Sequence, residues 1–254
     1  MKSTARASRT DSALDGRGRL FGIFCGLREE MEHPSTPRPW STSSGGSPGV
    51  RRREPLVLLA SGLALLVLSG IQPKDRYTWF LEVAPIFVAL PVLLLTARRF
   101  PLTSLAYRLV FLHALVLMVG GHYTYAEVPL GFWVRDLLGL ARNHYDRLGH
   151  FVQGFVPAVL AREVLRRKLG LPPGGWLFSL VTCVCLAISA TYELFEWLMA
   201  VISGSAAMAF LGTQGDVWDT QWDMLWALIG AVTSQLVLAR RHDRELASLV
   251  GVAR

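Results

Sequence analysis

Six long apolar runs follow one another in the sequence after its first 54 residues. Each is about 17–24 residues long, which is the length of helix that crosses a hydrocarbon layer of roughly 30 Å. Hydrophobic residues make up 52% of the 254 residues and charged residues only 18%, so the composition is too apolar for an ordinary soluble domain. The pattern predicts an all-α fold, a polytopic transmembrane bundle of about six helices, with spans near 55–71, 80–96, 107–126, 146–163, 176–199 and 222–239.

These runs divide the chain into three parts. Residues 1–54 are rich in Ser, Arg, Gly and Pro and have no apolar periodicity, so we expect a disordered tail that is not a secretion signal. Residues 55–240 form the predicted transmembrane domain, and residues 241–254 a short C-terminal tail. Translation could start at Met1 or at Met31.

The positions of Lys and Arg predict the orientation in the membrane. Thirteen of them flank the spans on one side and five on the other. Because cytoplasmic loops of membrane proteins are enriched in Lys and Arg, we expect both termini to lie in the cytoplasm. The net charge of +7 follows from this enrichment, so the expected partner is the lipid bilayer and not nucleic acid.

Acids and imidazoles concentrate at the predicted outer ends of the spans. Three helix ends carry a pair each: Asp146 with His150, Glu193 with Glu196, and Asp219 with Asp223. The members of each pair are three or four residues apart and therefore share one helix face. An ionisable residue within the bilayer costs at least about 2.5 kcal/mol, so we expect these faces to point into the bundle and to converge. His122 ends span three at the same level, and Glu82 in span two is expected to reach the membrane interface.

Carboxylates and imidazoles together suit a divalent metal ion such as Zn, Mn or Mg, and they also provide an acid and a base. The candidate catalytic residues are Asp146, His150, Glu193 and Glu196, and the candidate metal ligands are these four with Asp219 and Asp223. A simpler explanation exists for the three Asp residues, because an acid in the first turn stabilises the helix dipole by about 0.3–1 kcal/mol. This explanation does not extend to Glu193 and Glu196, because their negative charges lie at a helix C-terminus and therefore oppose the helix dipole.

Two further features concern the membrane surface. Five Trp residues lie at predicted outer span ends and are typical of an aromatic belt; they are Trp79, Trp133, Trp197, Trp218 and Trp222. The loop between spans three and four contains PLGFWVRDLLGLARN, which predicts an amphipathic helix in the interface.

Long segments of the chain, at residues 123–167, 189–200 and 209–231, closely resemble the YjdF-like family of bacterial inner-membrane proteins. The resemblance implies an integral inner-membrane protein, in a family of undefined biochemical activity. A weaker similarity is to VanZ-like membrane proteins, in which an Asp/His signature, paired Glu or Gln and an Asp-rich helix start recur in the same order. This chain has Trp226 and Ala227 where the VanZ-like pattern has a polar Asn.

Three classes of function remain open at this point. The first is a metal-dependent enzyme or binder that acts on a lipid-linked or small periplasmic ligand. The second is a non-catalytic structural or envelope-assembly protein, in which the polar residues only hold helices together. A transporter is less favoured, because carriers place polar sites near the midplane with broken helices, whereas these residues stop in the outer third. The sequence leaves the oligomeric state open.

Overall fold

The computed structural model describes residues 48–204 and 208–250, and in these ranges it contains helices, turns and loops but no strand. The helices are α1 (Pro48–Ser69), α2 (Arg76–Thr96), α3 (Ser104–Tyr123), α4 (Pro129–Leu138), α5 (Tyr145–Lys168), α6 (Gly175–Ser203), α7 (Met208–Leu211) and α8 (Asp219–Val250), with a 3₁₀ turn at Tyr125–Glu127. The all-α prediction is confirmed for this part of the chain.

Six of these helices are long and coincide with the six predicted spans. Four of them, α2, α3, α6 and α8, are long and apolar enough to cross a membrane. Helix α5 is more polar because it carries residues such as His150, Gln153, Arg162 and Glu163. In α1 a charged run up to Glu54 shortens the apolar part.

The predicted tails differ in extent from what the structure describes. Residues 1–47 of the predicted disordered tail lie outside the described residues, and residues 48–54 already belong to α1. At the other end α8 continues to Val250, past the predicted boundary at residue 240. The physical reason is packing, because His242 and Leu246 in this extension are 0% and 5% exposed.

Helix α5 is the central helix of the described bundle. It packs most extensively against α8 and also contacts α3 and α6. Two glycines allow the α5 and α8 backbones to touch: a Cβ on Gly154 would lie 1.8 Å from the Ala227 carbonyl oxygen, and one on Gly230 would lie 2.0 Å from the Phe151 carbonyl oxygen. Small residues at helix contacts are the usual means of close packing in membranes.

A buried polar network joins α5, α8 and the start of α3 at the end of the bundle that carries the basic flanks. Glu163 is 0% exposed. Its carboxylate accepts hydrogen bonds from the Thr103 backbone and hydroxyl at 2.9–3.3 Å and from Arg167 at 2.5 Å, and it lies 3.2 Å from His242 Nε2. Arg162 contacts His242 Nδ1 at 3.2 Å and donates to Asp243 at 3.0 Å. Each ionisable group in this network therefore has at least one polar partner.

The outer surface of the bundle is apolar, as lipid contact requires. Between 22% and 39% of the most apolar window is buried in each of the four spanning helices. Helix α4 is the predicted amphipathic helix, and its Trp133 and Leu137 are 74% and 83% exposed. Of the other Trp residues at span ends, Trp197, Trp218 and Trp222 are also exposed, whereas Trp79 is half-buried and donates to Ser69.

Candidate functional site

Three side chains from α5 and α8 meet at the end of the bundle opposite the Glu163 network. Asp146 and His150 lie one turn apart near the start of α5, and Asp223 lies in the second turn of α8. One ligand atom from each of the three residues lies within 4.8 Å of the other two, and all three residues are buried. The close approach of α5 and α8 at Gly154 and Gly230 is what brings these two helix starts together.

The His150 ring lies between two carboxylates and a side-chain amide. Its Nδ1 is 2.9 Å from Gln153 Oε1 and 3.6 Å from Glu193 Oε1, and its Nε2 is 3.6 Å from Asp146 Oδ1. Since the Gln153 oxygen can only accept, Nδ1 donates, and in the neutral ring Nε2 then directs a lone pair toward Asp146. A lone pair facing a carboxylate oxygen is stable only when a proton or a cation lies between them, and a histidine oriented in this way is typical of a metal ligand.

Two carboxylate oxygens at this cluster are buried without a hydrogen-bond partner. They belong to Glu193 (Oε1) and Asp223 (Oδ1), whose residues are 7% and 2% exposed. Buried polar atoms in proteins are almost always hydrogen-bonded. These two oxygens are therefore available to a further donor or cation at the cluster.

Two arginines pair with the acids at the rim of the cluster. Arg142 donates to Asp219 at 2.5 Å and to the Thr213 carbonyl at 2.6 Å, and Arg147 donates to Asp216 at 3.2 Å. Asp219, a candidate metal ligand from the sequence, is thus occupied by Arg142. Arg147 contacts Asp216, whereas its neighbour in sequence, Asp146, has no Lys or Arg within ion-pair distance among the described residues.

His144 precedes α5 beside these arginines. Burial and the neighbouring Arg147 and Arg142 lower the pKa of His144 below its ordinary value. The ring is therefore neutral at pH 7 and adds no positive charge to the rim.

The remaining polar residues lie beside the three-residue group. Glu196 is half-buried one turn beyond Tyr192, and Glu82 is 4% exposed. Glu82 does not extend to the surface as expected, because its side chain is buried and lines a cavity between the helices that also contacts Asp146, His150 and Glu196. His122 is bound elsewhere, with its Nδ1 2.9 Å from the Ser69 carbonyl oxygen.

Two tyrosines were not selected from the sequence and border the same region. The Tyr192 ring packs edge-on to His150 at 6.1 Å between centroids. The Tyr125 ring fits between α3 and α5, because Cβ atoms on Gly120 and Gly149 would lie 2.0 and 2.6 Å from it. The motifs GGHYTY and TYELFEW contain these residues. Each motif places a tyrosine near glycines or acids in an apolar helix, and this pattern could have indicated the two tyrosines as site residues.

Fold and site together define a polytopic helical membrane protein with a buried acidic and histidine cluster at one end of its bundle. The family model described as "Predicted membrane protein (DUF2238)" matches residues 54–244. The "Inner membrane protein YjdF" of Escherichia coli (strain K12) is 54% identical over 199 residues, covering 77% of this chain and 95% of that protein. The chain therefore belongs to this family of membrane proteins, and the resemblance seen in its motifs is confirmed. No solved structure matches the chain.

Proposed function

We propose that this chain is an inner-membrane protein that binds a divalent cation with Asp146, His150 and Asp223, at a site open to the periplasm. The observation that carries the proposal is the placement of three ligand atoms within 4.8 Å of one another in a buried location. Glu193 lies 3.6 Å from Nδ1 on the other side of the His150 ring, so it lies beside the ligand group, where it could act on a bound molecule.

The charge balance of the cluster supports a cation. Asp146, Asp223 and Glu193 are three buried acids, and no Lys or Arg in the described residues lies within ion-pair distance of any of them. Removing an uncompensated charge from water costs several kcal/mol. A divalent cation between Asp146, Asp223 and His150 Nε2 would offset this cost and give the unpaired Asp223 oxygen a partner.

A comparison within the molecule distinguishes this proposal from a purely structural role. The Glu163 network holds the same two helices together, and each of its ionisable groups has a partner. In the cluster around Asp146, His150 and Asp223, two buried carboxylate oxygens have no hydrogen-bond partner. Polar residues that serve only to join helices are expected to resemble the first arrangement, because partly satisfied buried networks destabilise a fold.

The donor set favours particular ions and a particular chemistry. One imidazole with two or three carboxylates suits Zn or Mn better than Mg, which prefers oxygen ligands alone. Such an ion would polarise a bound phosphoryl or carbonyl oxygen. Glu193 would then be within reach to take up or deliver a proton for a lipid-linked or small periplasmic ligand.

Metal analysis of the detergent-purified chain tests the proposal. We expect about one Zn or Mn per wild-type chain, since one cluster of this kind is described, and loss of most of it in Asp223→Asn and in Asp146→Asn, because an amide provides a weaker ligand than a carboxylate. Asp136→Asn is the matched control, because Asp136 is exposed on α4 and pairs with its neighbour Arg135. A wild-type chain without bound metal after incubation with either ion, or equal metal in all variants, would show that the proposal is wrong.

A further inference from the structure

A half-open cavity of about 1080 Å³ lies between the helices next to the cation site. Residues of α1, α2, α3, α5 and α6 line it, and most of these are apolar. Ligand pockets in proteins are typically about 300–1,000 Å³, so this cavity has room for a large apolar molecule. Asp146 and His150 belong both to its lining and to the candidate ligand group, so the cavity reaches the cation site.

The lining residues of α5 and α6 change in polarity in one direction along the cavity, whereas His113 lines it in the middle of α3. On α5 the lining residues run along one face from Asp146, His150 and Gln153 to Val156 and Leu160. These positions are three or four residues apart and lie on one helix face. The face is charged at its outer end and apolar at its inner end.

Helix α6 shows the same gradient although its chain runs in the opposite direction. Its lining residues begin with Val184 and Ile188 and end with Tyr192 and Glu196. The charged ends of the two helices therefore meet at one end of the cavity, and the apolar ends meet at the other. This distribution matches a molecule with one polar end and a long apolar remainder.

The depth of the cavity matches the chain of a membrane lipid. The α5 face from Asp146 to Leu160 spans 14 residue steps, or about 21 Å at about 1.5 Å per residue. One leaflet of a bilayer occupies about half of the roughly 30 Å hydrocarbon core. A hydrocarbon chain that enters at the outer end can thus be accommodated along its full length.

We infer that the cavity binds the hydrocarbon chain of a membrane lipid whose phosphate ester lies on the cation held by Asp146, His150 and Asp223. The inference rests on the proposed function, because the acidic cluster would repel a phosphate in the absence of the cation. With the cation bound, its open coordination positions take hard anionic oxygens. Arg142 and Arg147 lie at the same end of the bundle, but Asp219 and Asp216 offset their charge, so the cation is the group that attracts the phosphate.

Photo-crosslinking with the full-length chain tests this inference. The protein is reconstituted in phosphatidylcholine vesicles that contain phosphatidic acid with a diazirine in one chain, and labelled peptides are located by mass spectrometry. We expect labelling of cavity residues such as Leu117 and Leu160. Mn²⁺ should raise this labelling over chelator by about tenfold, the ratio that one charge-assisted contact provides, and a diacylglycerol with the same diazirine chain should show no such increase.

Two alanines provide a matched pair of variants. Ala114 on α3 lines the cavity, whereas Ala60 on α1 is exposed on the outer surface and is not part of the lining. Ala114→Phe should therefore lower cavity labelling several-fold, and Ala60→Phe should leave it unchanged. Mn²⁺ binding is measured on each variant and should equal that of wild type, which shows that the site is folded. Leu160→Trp fills the inner end of the cavity independently and should act like Ala114→Phe.

The remaining outcomes show which of the two proposals fails, the cation site or the bound lipid. Normal Mn²⁺ binding with labelling confined to outward-facing residues overturns the lipid inference and leaves the cation site intact. Cavity labelling that is indifferent to Mn²⁺ and to the phosphate overturns the inferred headgroup. Failure to bind Mn²⁺ or Zn²⁺ at all rejects the proposed function itself. Complete protection by equimolar inorganic phosphate would show that the site recognises phosphate alone and also overturns the lipid inference.

Discussion

The contact between α5 and α8 at Gly154 provides the sharpest prediction about this fold. A Cβ on Gly154 would lie 1.8 Å from the Ala227 carbonyl oxygen, whereas ordinary van der Waals contact begins at 3.4 Å. The variant Gly154→Ala must therefore separate the two backbones locally by about 1.6 Å. Because the obstructing atoms are backbone, no side-chain rotation can relieve the clash.

The expected cost follows from this displacement. Overpacking a well-packed interface costs about 1–3 kcal/mol, and we expect the free energy of unfolding to fall by an amount within this range. The loss should appear although Ala favours a helix over Gly by about 0.8–1.0 kcal/mol. His150 lies one turn from Gly154, and functional sites tolerate shifts of only about 0.5 Å, so Mn²⁺ affinity should fall as well.

Unfolding in detergent, followed by circular dichroism, measures the stability change, and titration with Mn²⁺ measures the affinity. Gly62→Ala is the matched control, because the nearest atoms to its Cβ would be Phe111 ring carbons at 3.7 and 3.8 Å. That variant should be as stable as wild type or slightly more stable. If Gly154→Ala proves equal to Gly62→Ala in stability and in Mn²⁺ affinity, the argument that this contact sets the helix spacing is refuted.

Two other predictions concern the opposite end of the bundle and the orientation. Glu163→Ala should lower the free energy of unfolding by about 3–5 kcal/mol, because it leaves buried His242 and Thr103 groups without their partner, and Glu163→Gln should lower it less. Neither variant, once folded, should alter Mn²⁺ affinity. A large change in Mn²⁺ affinity would contradict the separation of the two ends of the bundle. A reporter active only in the periplasm should function when fused after Gly215 and fail when fused after Arg254, and the reverse pattern would place the cation site on the cytoplasmic side.

The positions of the long helices were predictable because the thickness of the bilayer imposes a length on each helix. Lipid also makes an unpaired ionisable residue expensive, so the pairs Asp146 with His150 and Glu193 with Glu196 could be assigned to the interior from spacing alone. Their assignment required no knowledge of which helices are neighbours.

The partners of individual acids were not predictable in the same way. Asp219 has the same spacing to Asp223 as Asp146 has to His150, yet it is paired with Arg142. From the sequence, the basic residues near Glu163 contributed only to the charge count that predicts the orientation. The contacts of Arg162 with Asp243 and of Glu163 with His242 were missed. These pairs are 77 to 81 residues apart in sequence, and helical periodicity contains no information about such contacts.

The sequence by itself determined that this protein is a helical membrane bundle with acids and imidazoles at one end, because span length and helix periodicity are local properties. Only the tertiary structure decided that Asp146, His150 and Asp223 form one group, and that this group opens onto an apolar cavity. The first outcome depends on how closely α5 and α8 approach at Gly154 and Gly230. That distance is set by backbone contact between two helices, which no pattern within either helix specifies.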